Sequence, residues 1–317
     1  MPWLLINIIP KMLAMARILV TGGAGFIGSS LAFELAKKGE EVVVLDDMSL
    51  GKPENLSGAG VEVRVGDISR PADIEAAMQD VGQVYHFASA SSAPMYEPDP
   101  RRATQVTLNG FLNVLEAARK SKVKGIVFAS SSSVYGNNPT PHSEAQAIAP
   151  ISFYTAAKMS KEFYAQVYSR MYGMDIAAMR FFSVYGPREK FKGRYANIIS
   201  QFLWKMKKGE SPVLYGNGSQ TRDYIYIDDV VRCCLLAMEK KANGAFNVGT
   251  GRSASFNDVV SLLNKALGTK IKPAYVPNPI GNYVAHTLAD TAKAERELGF
   301  KARLSLEDGI RELLKSY

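Results

Sequence analysis

Three glycines, Gly22, Gly25 and Gly28, mark the passage from the aliphatic run Arg17-Ile18-Leu19-Val20-Thr21 into a helix-forming stretch from Ile27 to Lys38. Glycine at the first two positions lets the backbone turn tightly and come close to a phosphate, and Gly28 permits close packing of helix on strand. The helix that follows offers unpaired N–H groups and the positive end of its dipole. A strand, a turn and a helix in that order, with G-x-x-G-x-x-G spacing, constrain the fold more than any other feature of the chain. Downstream, β-branched runs recur at Glu41 to Leu45, Val61 to Val65, Val84 to Phe87, Gly125 to Ala129 and Asp175 to Phe182. Helical stretches separate them at Pro71 to Met78, Gln105 to Lys120 and Phe153 to Tyr172. Strands alternating with helices predict a doubly wound parallel sheet of the Rossmann type. Beyond Tyr185 glycine and proline become frequent and the alternation fades.

The domain change is therefore placed near residue 183. A nucleotide-binding domain is expected over residues 15–182 and a smaller C-terminal α/β substrate domain over 183–317. The strand Asp223 to Ile227 and the helix Asp228 to Glu239 are expected to return to the first domain, over residues 223–245. Asp46 closes the second strand, 18 residues after Gly28. A carboxylate there accepts hydrogen bonds from a ribose diol and repels a 2′-phosphate, which favours NAD over NADP. Asp46-Asp47-Met48-Ser49 also has the composition of a turn, so a capping role for Asp46 stands beside the ribose role. Asp67 and Ile68, after the third strand, are placed to meet the adenine.

Composition excludes several classes. With 47% hydrophobic and 21% charged residues the chain reads as globular and soluble. No apolar run reaches the roughly 18 residues a membrane span needs. Residues 3–9 are apolar but short, and the strand at Arg17 follows at once, so Met12 or Met15 is the expected start of the native chain. Net charge is +8, but the basic residues are dispersed, without a block interleaved with aromatics, so nucleic acid is not an expected partner. Arg188 to Arg194 is the densest basic cluster and suits a nucleotide diphosphate. Cys233 and Cys234 are adjacent in a helix, where neighbours point apart, so no disulfide joins them. The three histidines are scattered, and no metal site is expected. Together these features predict a reduced, cytoplasmic protein.

Tyr154 and Lys158 lie four residues apart, which puts both on one face of the Phe153 to Tyr172 helix. An ammonium beside a phenol stabilises the phenolate and lowers its pKa, giving a proton acceptor usable near neutral pH. Upstream stands a run of four serines, Ser130 to Ser133.

Taken with Thr21 to Gly28, Gly66-Asp67-Ile68, His86-Phe87-Ala88, Ser130 to Gly136, Arg180 to Pro187 and Arg222 to Asp229, these motifs resemble the extended short-chain dehydrogenase/reductase superfamily. Its nucleotide-sugar epimerase and dehydratase branch is the nearest, and the resemblance covers nearly the whole chain from Arg17. It implies NAD as cofactor, held by Gly22, Gly25, Phe26, Ile27, Gly28, Asp46, Asp47, Met48, Ser49, Asp67, Ile68, Phe87, Ala88, Ser89, Tyr154, Lys158 and Phe181. It implies Ser131, Tyr154 and Lys158 as the catalytic set, with Ser131 bonding the reacting sugar oxygen and Lys158 also holding the nicotinamide ribose. A nucleotide-diphosphate sugar would rest on Ser131, Ser132, Ser183, Asn197, Tyr215 and Arg222, with Arg222 gripping phosphate bidentately.

Dehydratases of this branch carry an acidic pair where this chain has Ser132 and Ser133. Eliminating water needs a carboxylic acid and a carboxylate, so dehydration is not expected, and the glutamate usual in the decarboxylases is missing too. Two activities remain. One is 4-epimerisation of a UDP-hexose through a 4-keto sugar, as in UDP-glucose 4-epimerase. The other follows the ADP-glyceromanno-heptose 6-epimerases, which resemble Tyr185 to Gly193, Lys208 to Pro212, Phe246 to Arg252 and Tyr283 to Asp290. In those, the lysine matching Lys192 is a second acid/base. Ser183 replaces an asparagine usual in 4-epimerases, and Pro279 to Asn282 stands where a diphosphate-gripping arginine is usual. A non-catalytic NAD sensor is the alternative from another class. The resemblance also implies a homodimer through Gln105 to Lys120 and Phe153 to Tyr172, with Leu108, Leu112 and Leu115 on a packed face.

Overall fold

A computed structural model describes residues 16–148, 150–280 and 283–317. The expected native start at Met12 or Met15, and the Gly281-Asn282 end of the segment that replaces the late arginine, lie outside them. Twelve strands are found among the described residues: β1 (Arg17–Thr21), β2 (Val42–Asp46), β3 (Glu62–Val65), β4 (Val81–His86), β5 (Gly125–Ser131), β6 (Asp175–Phe181), β7 (Ser183–Tyr185), β8 (Val213–Tyr215), β9 (Thr221–Tyr226), β10 (Gly244–Val248), β11 (Ser253–Ser255) and β12 (Ala274–Val276). The helices are α1 (Phe26–Lys37), α2 (Pro71–Ala77), α3 (Pro100–Thr104), α4 (Gly110–Lys120), α5 (Phe153–Tyr172), α6 (Ile198–Met206), α7 (Ile227–Glu239), α8 (Phe256–Leu267), α9 (Ala292–Leu298) and α10 (Leu306–Leu314).

Seven strands form one parallel sheet in the order β10-β6-β5-β4-β1-β2-β3. Its inner strands are buried on both faces, which explains their continuous aliphatic sequences: all five residues of Val42–Asp46 and all seven of Gly125–Ser131 are buried. One face carries a core that includes Leu31 and Leu35 of α1, Val230 and Cys234 of α7, and Ile310 of α10. The other packs Ile74, Phe111, Leu115 and Ala165 against Leu19, Val84 and Ile126. Cys233 and Cys234 are both free and buried.

The chain leaves the large sheet after Phe181 and enters a three-stranded sheet, β11-β9-β7, at Ser183. The expected return over residues 223–245 needs correction. Its strand, Thr221–Tyr226, pairs parallel with β7 and antiparallel with β11 rather than joining the large sheet. Its helix, α7, does pack back against α1 and the sheet. The seventh strand of the large sheet comes later, from Gly244–Val248, because β10 finds the open edge of β6. The expected helix Gln105 to Lys120 starts as a π-turn, Gln105–Asn109, continuous with α3 and α4.

Helix α5 is fixed at both ends. A capping box of Ser152 and Thr155 starts it and Gly173, at φ +65°, stops it. Its inner face carries charge into the core. Glu162 is buried and takes two bonds from the Arg180 guanidinium, at 2.7 and 3.1 Å, and one from the Ser130 hydroxyl. Arg180 also donates to the Tyr135 hydroxyl at 2.8 Å, and Tyr135 donates to Asn247 at 2.6 Å. Lys161 is the exception. It is fully buried, its Nζ has no hydrogen-bond partner, and it lies 4.7 Å from the Phe111 ring centre and 5.2 Å from that of Phe128.

Burial holds the Lys161 pKa well below the ordinary lysine value. Below a pH of about 10.4 the unfolded chain therefore binds a proton that the folded chain resists, and stability falls as pH drops from there. Lys161→Met keeps the volume and removes the charge. It should raise stability near pH 7 by about 1–3 kcal/mol, with the gain shrinking toward pH 10. Thermal unfolding of both proteins at the two pH values checks this; equal gains would contradict it.

Candidate active site

The cavity lies at the carboxyl ends of the sheet strands, where the order reverses between β1 and β4. Its volume is about 730 Å³, and residues from both the large sheet and the 181–197 segment line it. Gly22 adopts φ +68°, and a Cβ there would sit 2.6 Å from the Ala88 nitrogen, so only glycine fits. At Gly28 a Cβ would meet the Gly22 carbonyl oxygen at 2.2 Å. This close approach closes the turn on the first residues of α1. Gly25 precedes the helix without a side-chain cap, so the first N–H groups of α1 remain for a ligand. An uncapped helix start beside glycines on the cavity wall fits a pyrophosphate, and the residues present suit a dinucleotide.

Asp46 is buried at the cavity wall. Its Oδ2 accepts from the Ala24 N–H and its Oδ1 from the Met48 N–H, both at 2.9 Å. Burial raises its pKa, and those two backbone bonds oppose the rise. The turn-capping role and the position for a ribose therefore coexist in one carboxylate. Gly51 lies so close that a Cβ would meet Asp46 at 2.6 Å. Asp67 pairs with Arg102 at 2.9 Å, and both line the cavity.

Ser131, Tyr154 and Lys158 converge on the same cavity. Ser131 ends β5 and Tyr154 and Lys158 open α5, so the packing of α5 beside β5 brings them together. Lys158 donates to the Ser89 hydroxyl at 3.2 Å and to the Ala129 carbonyl at 3.1 Å. Burial lowers its pKa to about 8, and Glu162 opposes that shift. The Lys158 ammonium lies 5.6 Å from the centre of the Tyr154 ring.

The sequence expectation of a lowered Tyr154 pKa is overturned. The phenol is only 8% exposed, and burial pushes its pKa up, with the Ser131 hydroxyl acting the other way. The reason is desolvation of the phenolate, while the Lys158 ammonium directs its bonds to Ser89 and Ala129. Tyr96 braces the ring edge-on at 5.9 Å and is itself held by Thr107, in the π-turn, at 2.7 Å.

Of the sequence-predicted cofactor residues, Gly22, Gly25, Phe26, Ile27, Gly28, Asp46, Asp47, Ser49, Asp67, Ile68, Phe87, Ala88, Ser89 and Phe181 line the cavity beside Tyr154 and Lys158. Met48 does not; it packs on the core beneath the turn, at φ +59°. Among the predicted substrate residues, Ser131, Ser183 and Asn197 line it, and so does Lys192. Ser132, Tyr215 and Arg222 stand outside. The Arg222 guanidinium donates to the Thr221, Val284 and Ala285 carbonyls at 2.6–2.9 Å, so these bonds hold it against the backbone rather than free for a phosphate. Sequence reasoning missed Glu189, the one acidic residue inside the basic cluster, and Asn55, whose amide donates to the Ala24 carbonyl. It also missed Ser133 and Arg102.

Residues 18–249 match the NAD dependent epimerase/dehydratase family. The UDP-glucose 4-epimerase of Mycolicibacterium smegmatis is 34% identical, over 95% of this chain and 98% of that protein. The crystal structure of a UDP-glucose 4-epimerase from Thermotoga maritima with UDP-glucose superposes with a TM-score of 0.90 at 36% identity, covering 95% of this chain and 98% of the other. The ADP-L-glycero-D-manno-heptose-6-epimerase of Helicobacter pylori gives 0.87 at 32% identity, with 95% of each chain covered. The chain belongs to the NAD-dependent epimerase/dehydratase family, within the extended short-chain dehydrogenase/reductase superfamily, and is an isomerase of the nucleotide-sugar epimerase type.

Gly28→Ala forces its methyl into the Gly22 carbonyl. It should weaken NAD binding at least about tenfold, which corresponds to roughly 1.4 kcal/mol. Fluorescence titration of purified protein checks this; unchanged affinity would show that the loop adapts.

Proposed function

We propose that the protein is a UDP-hexose 4-epimerase that keeps NAD bound through the cycle. UDP-glucose with UDP-galactose, or the corresponding N-acetylhexosamines, are its proposed substrates. The observation that carries this is the shared cavity: Ser131, Tyr154 and Lys158 stand beside a dinucleotide loop, and serines occupy the positions where an elimination would need carboxyl groups.

The chemistry that bound NAD would supply is a reversible hydride acceptor beside the sugar carbon. The chain's own residues manage the proton. Tyr154 would take it from the sugar 4-hydroxyl and return it to the same oxygen after the sugar has turned its other face. Ser131 hydrogen-bonds the same oxygen, and Lys158 holds positive charge near the phenol, which favours the deprotonated form once sugar and cofactor exclude water. Ser183 and Asn197 hold the nucleotide-sugar on the other wall. Residues 15–182 with α7 and β10 serve the cofactor, and the rest of 183–317 serves the substrate. The two buried, free thiols fit a reducing, cytoplasmic setting.

A second reading, a two-base 6-epimerase of an ADP-heptose, is favoured by one observation: Lys192 lines the cavity that holds Tyr154. A panel of UDP-, ADP-, GDP- and dTDP-sugars, followed by NMR, decides between them. Interconversion of a UDP-hexose at C4 is expected; turnover of the ADP-heptose alone would favour the second reading, and turnover of none would leave an NAD sensor. Tyr154→Phe should lower the epimerisation rate at least about a thousandfold, or roughly 4 kcal/mol, with NAD retained. Substantial turnover in that variant would remove Tyr154 from the chemistry.

We also propose a homodimer. Phe163, Val167 and Met171 are 53%, 47% and 66% exposed and fall at intervals of four along α5, beside α4. Such a stripe is larger than a solvated helix face needs. Leu108 and Leu112 are half-buried nearby, whereas Leu115 is fully buried in the core. Val167→Glu should halve the mass measured by light scattering; an unchanged mass would place any interface elsewhere.

A further inference from the structure

Glu189 is fully buried, yet it lines the cavity. Its Oε1 accepts from the Asn197 N–H at 2.7 Å and faces the Lys192 ammonium at 3.4 Å. Its Oε2 accepts from the Ser200 hydroxyl at 2.6 Å. Burial raises the pKa of this carboxyl, and Lys192 is the largest influence against it. Two of the three donors belong to the start of α6, whose cap, Asn197, accepts from the Ile199 N–H at 3.0 Å. The third, Lys192, reaches across to 5.7 Å from the ring centre of Phe26, the first residue of α1. One buried carboxylate thus fixes a cation between the phosphate loop and the substrate wall.

A carboxylate in such a place is costly. Its interactions with α6 could be met by a neutral amide of the same shape, since an amide oxygen accepts from Asn197 and an amide nitrogen donates to Ser200. Only Lys192 requires the negative charge. Arg188, on the same segment, lies 4.2 Å from the Phe33 ring centre and has no carboxylate within salt-bridge distance among the described residues.

We propose that Glu189 is a positioning residue of this active site: it holds the Lys192 ammonium against the wall formed by Phe26, where Lys192 meets the bound nucleotide sugar. The inference rests on the reading of the cavity as a nucleotide-sugar site. It holds whether Lys192 acts as a hydrogen-bond donor or as a second acid.

The test is a double-mutant cycle on the full-length, NAD-loaded protein, with the nucleotide sugar that the wild type turns over. Glu189→Gln and Lys192→Met should each lower kcat/KM at least tenfold and should move the same one of kcat and KM. The double variant should be no slower than Lys192→Met alone. Ser200→Ala removes a bond to the same carboxylate but leaves Lys192 in place, so it should lower the melting temperature without changing kcat/KM. Losses that multiply in the double variant, or a Glu189→Gln enzyme as fast as wild type beside a slow Lys192→Met, would overturn the role of Glu189. A fully active Lys192→Met enzyme would overturn it as well, by removing the residue it positions. A wild type that turns over no sugar would instead sink the reading of the cavity. Should Glu189→Gln not fold, Glu189→Asp answers the question: it keeps the charge and loses the reach, so unchanged kcat/KM would overturn the inference.

Discussion

The Glu162–Arg180 ion pair is the constraint on which the rest of the structure depends. It joins α5 to β6, and through Ser130 it holds the end of β5. Through Tyr135 and Asn247 it reaches the turn after β5 and the added strand β10. Removing one partner from such a pair leaves an unpaired buried charge, which costs about 3–5 kcal/mol. Ser131, Tyr154 and Lys158, the proposed proton-handling groups, stand on elements tied to this network. Ser131 follows Ser130, and Lys158 precedes Glu162 by one helical turn. The geometry of these three groups is therefore set from beneath, by a polar core rather than by surface loops.

Electrostatics in the cavity follow from the same burial. Burial moves the pKa values of Tyr154 and Lys158 in opposite directions, each toward its neutral form. A water-excluding site strengthens each electrostatic interaction between two such groups.

Much of this was legible in the sequence, for physical reasons. The glycine spacing is read directly because steric exclusion acts within a few residues: Gly22 and Gly28 meet each other and Ala88. Parallel strands buried on both faces leave unbroken aliphatic runs, and helix α5 announces its ends with Ser152 and Gly173. What could not be read were effects set by distant partners. The sign of the Tyr154 shift depends on desolvation, and helical spacing between Tyr154 and Lys158 carries no information on that. Arg222 was expected to be free, but its carbonyl partners come from residues about sixty positions away. Strand β9 ends in the apolar run Tyr224-Ile225-Tyr226, which suits either sheet, and pairing with β7 and β11 decided its place.

The late arrival of β10 has a consequence for how the chain reaches this state. A nascent chain ending near residue 182 already contains six strands of the large sheet, yet β6 then presents an open edge. Unpaired edges of aliphatic strands invite wrong partners. The edge stays open until the small sheet's β7 and β9 and the helix α7 have been made and residues 244–248 return. Closing that contact over more than sixty residues ties the two halves into one cooperative unit. The large sheet therefore cannot be separated by cutting the chain once, because its last strand is encoded between β9 of the small sheet and β11 of the same small sheet.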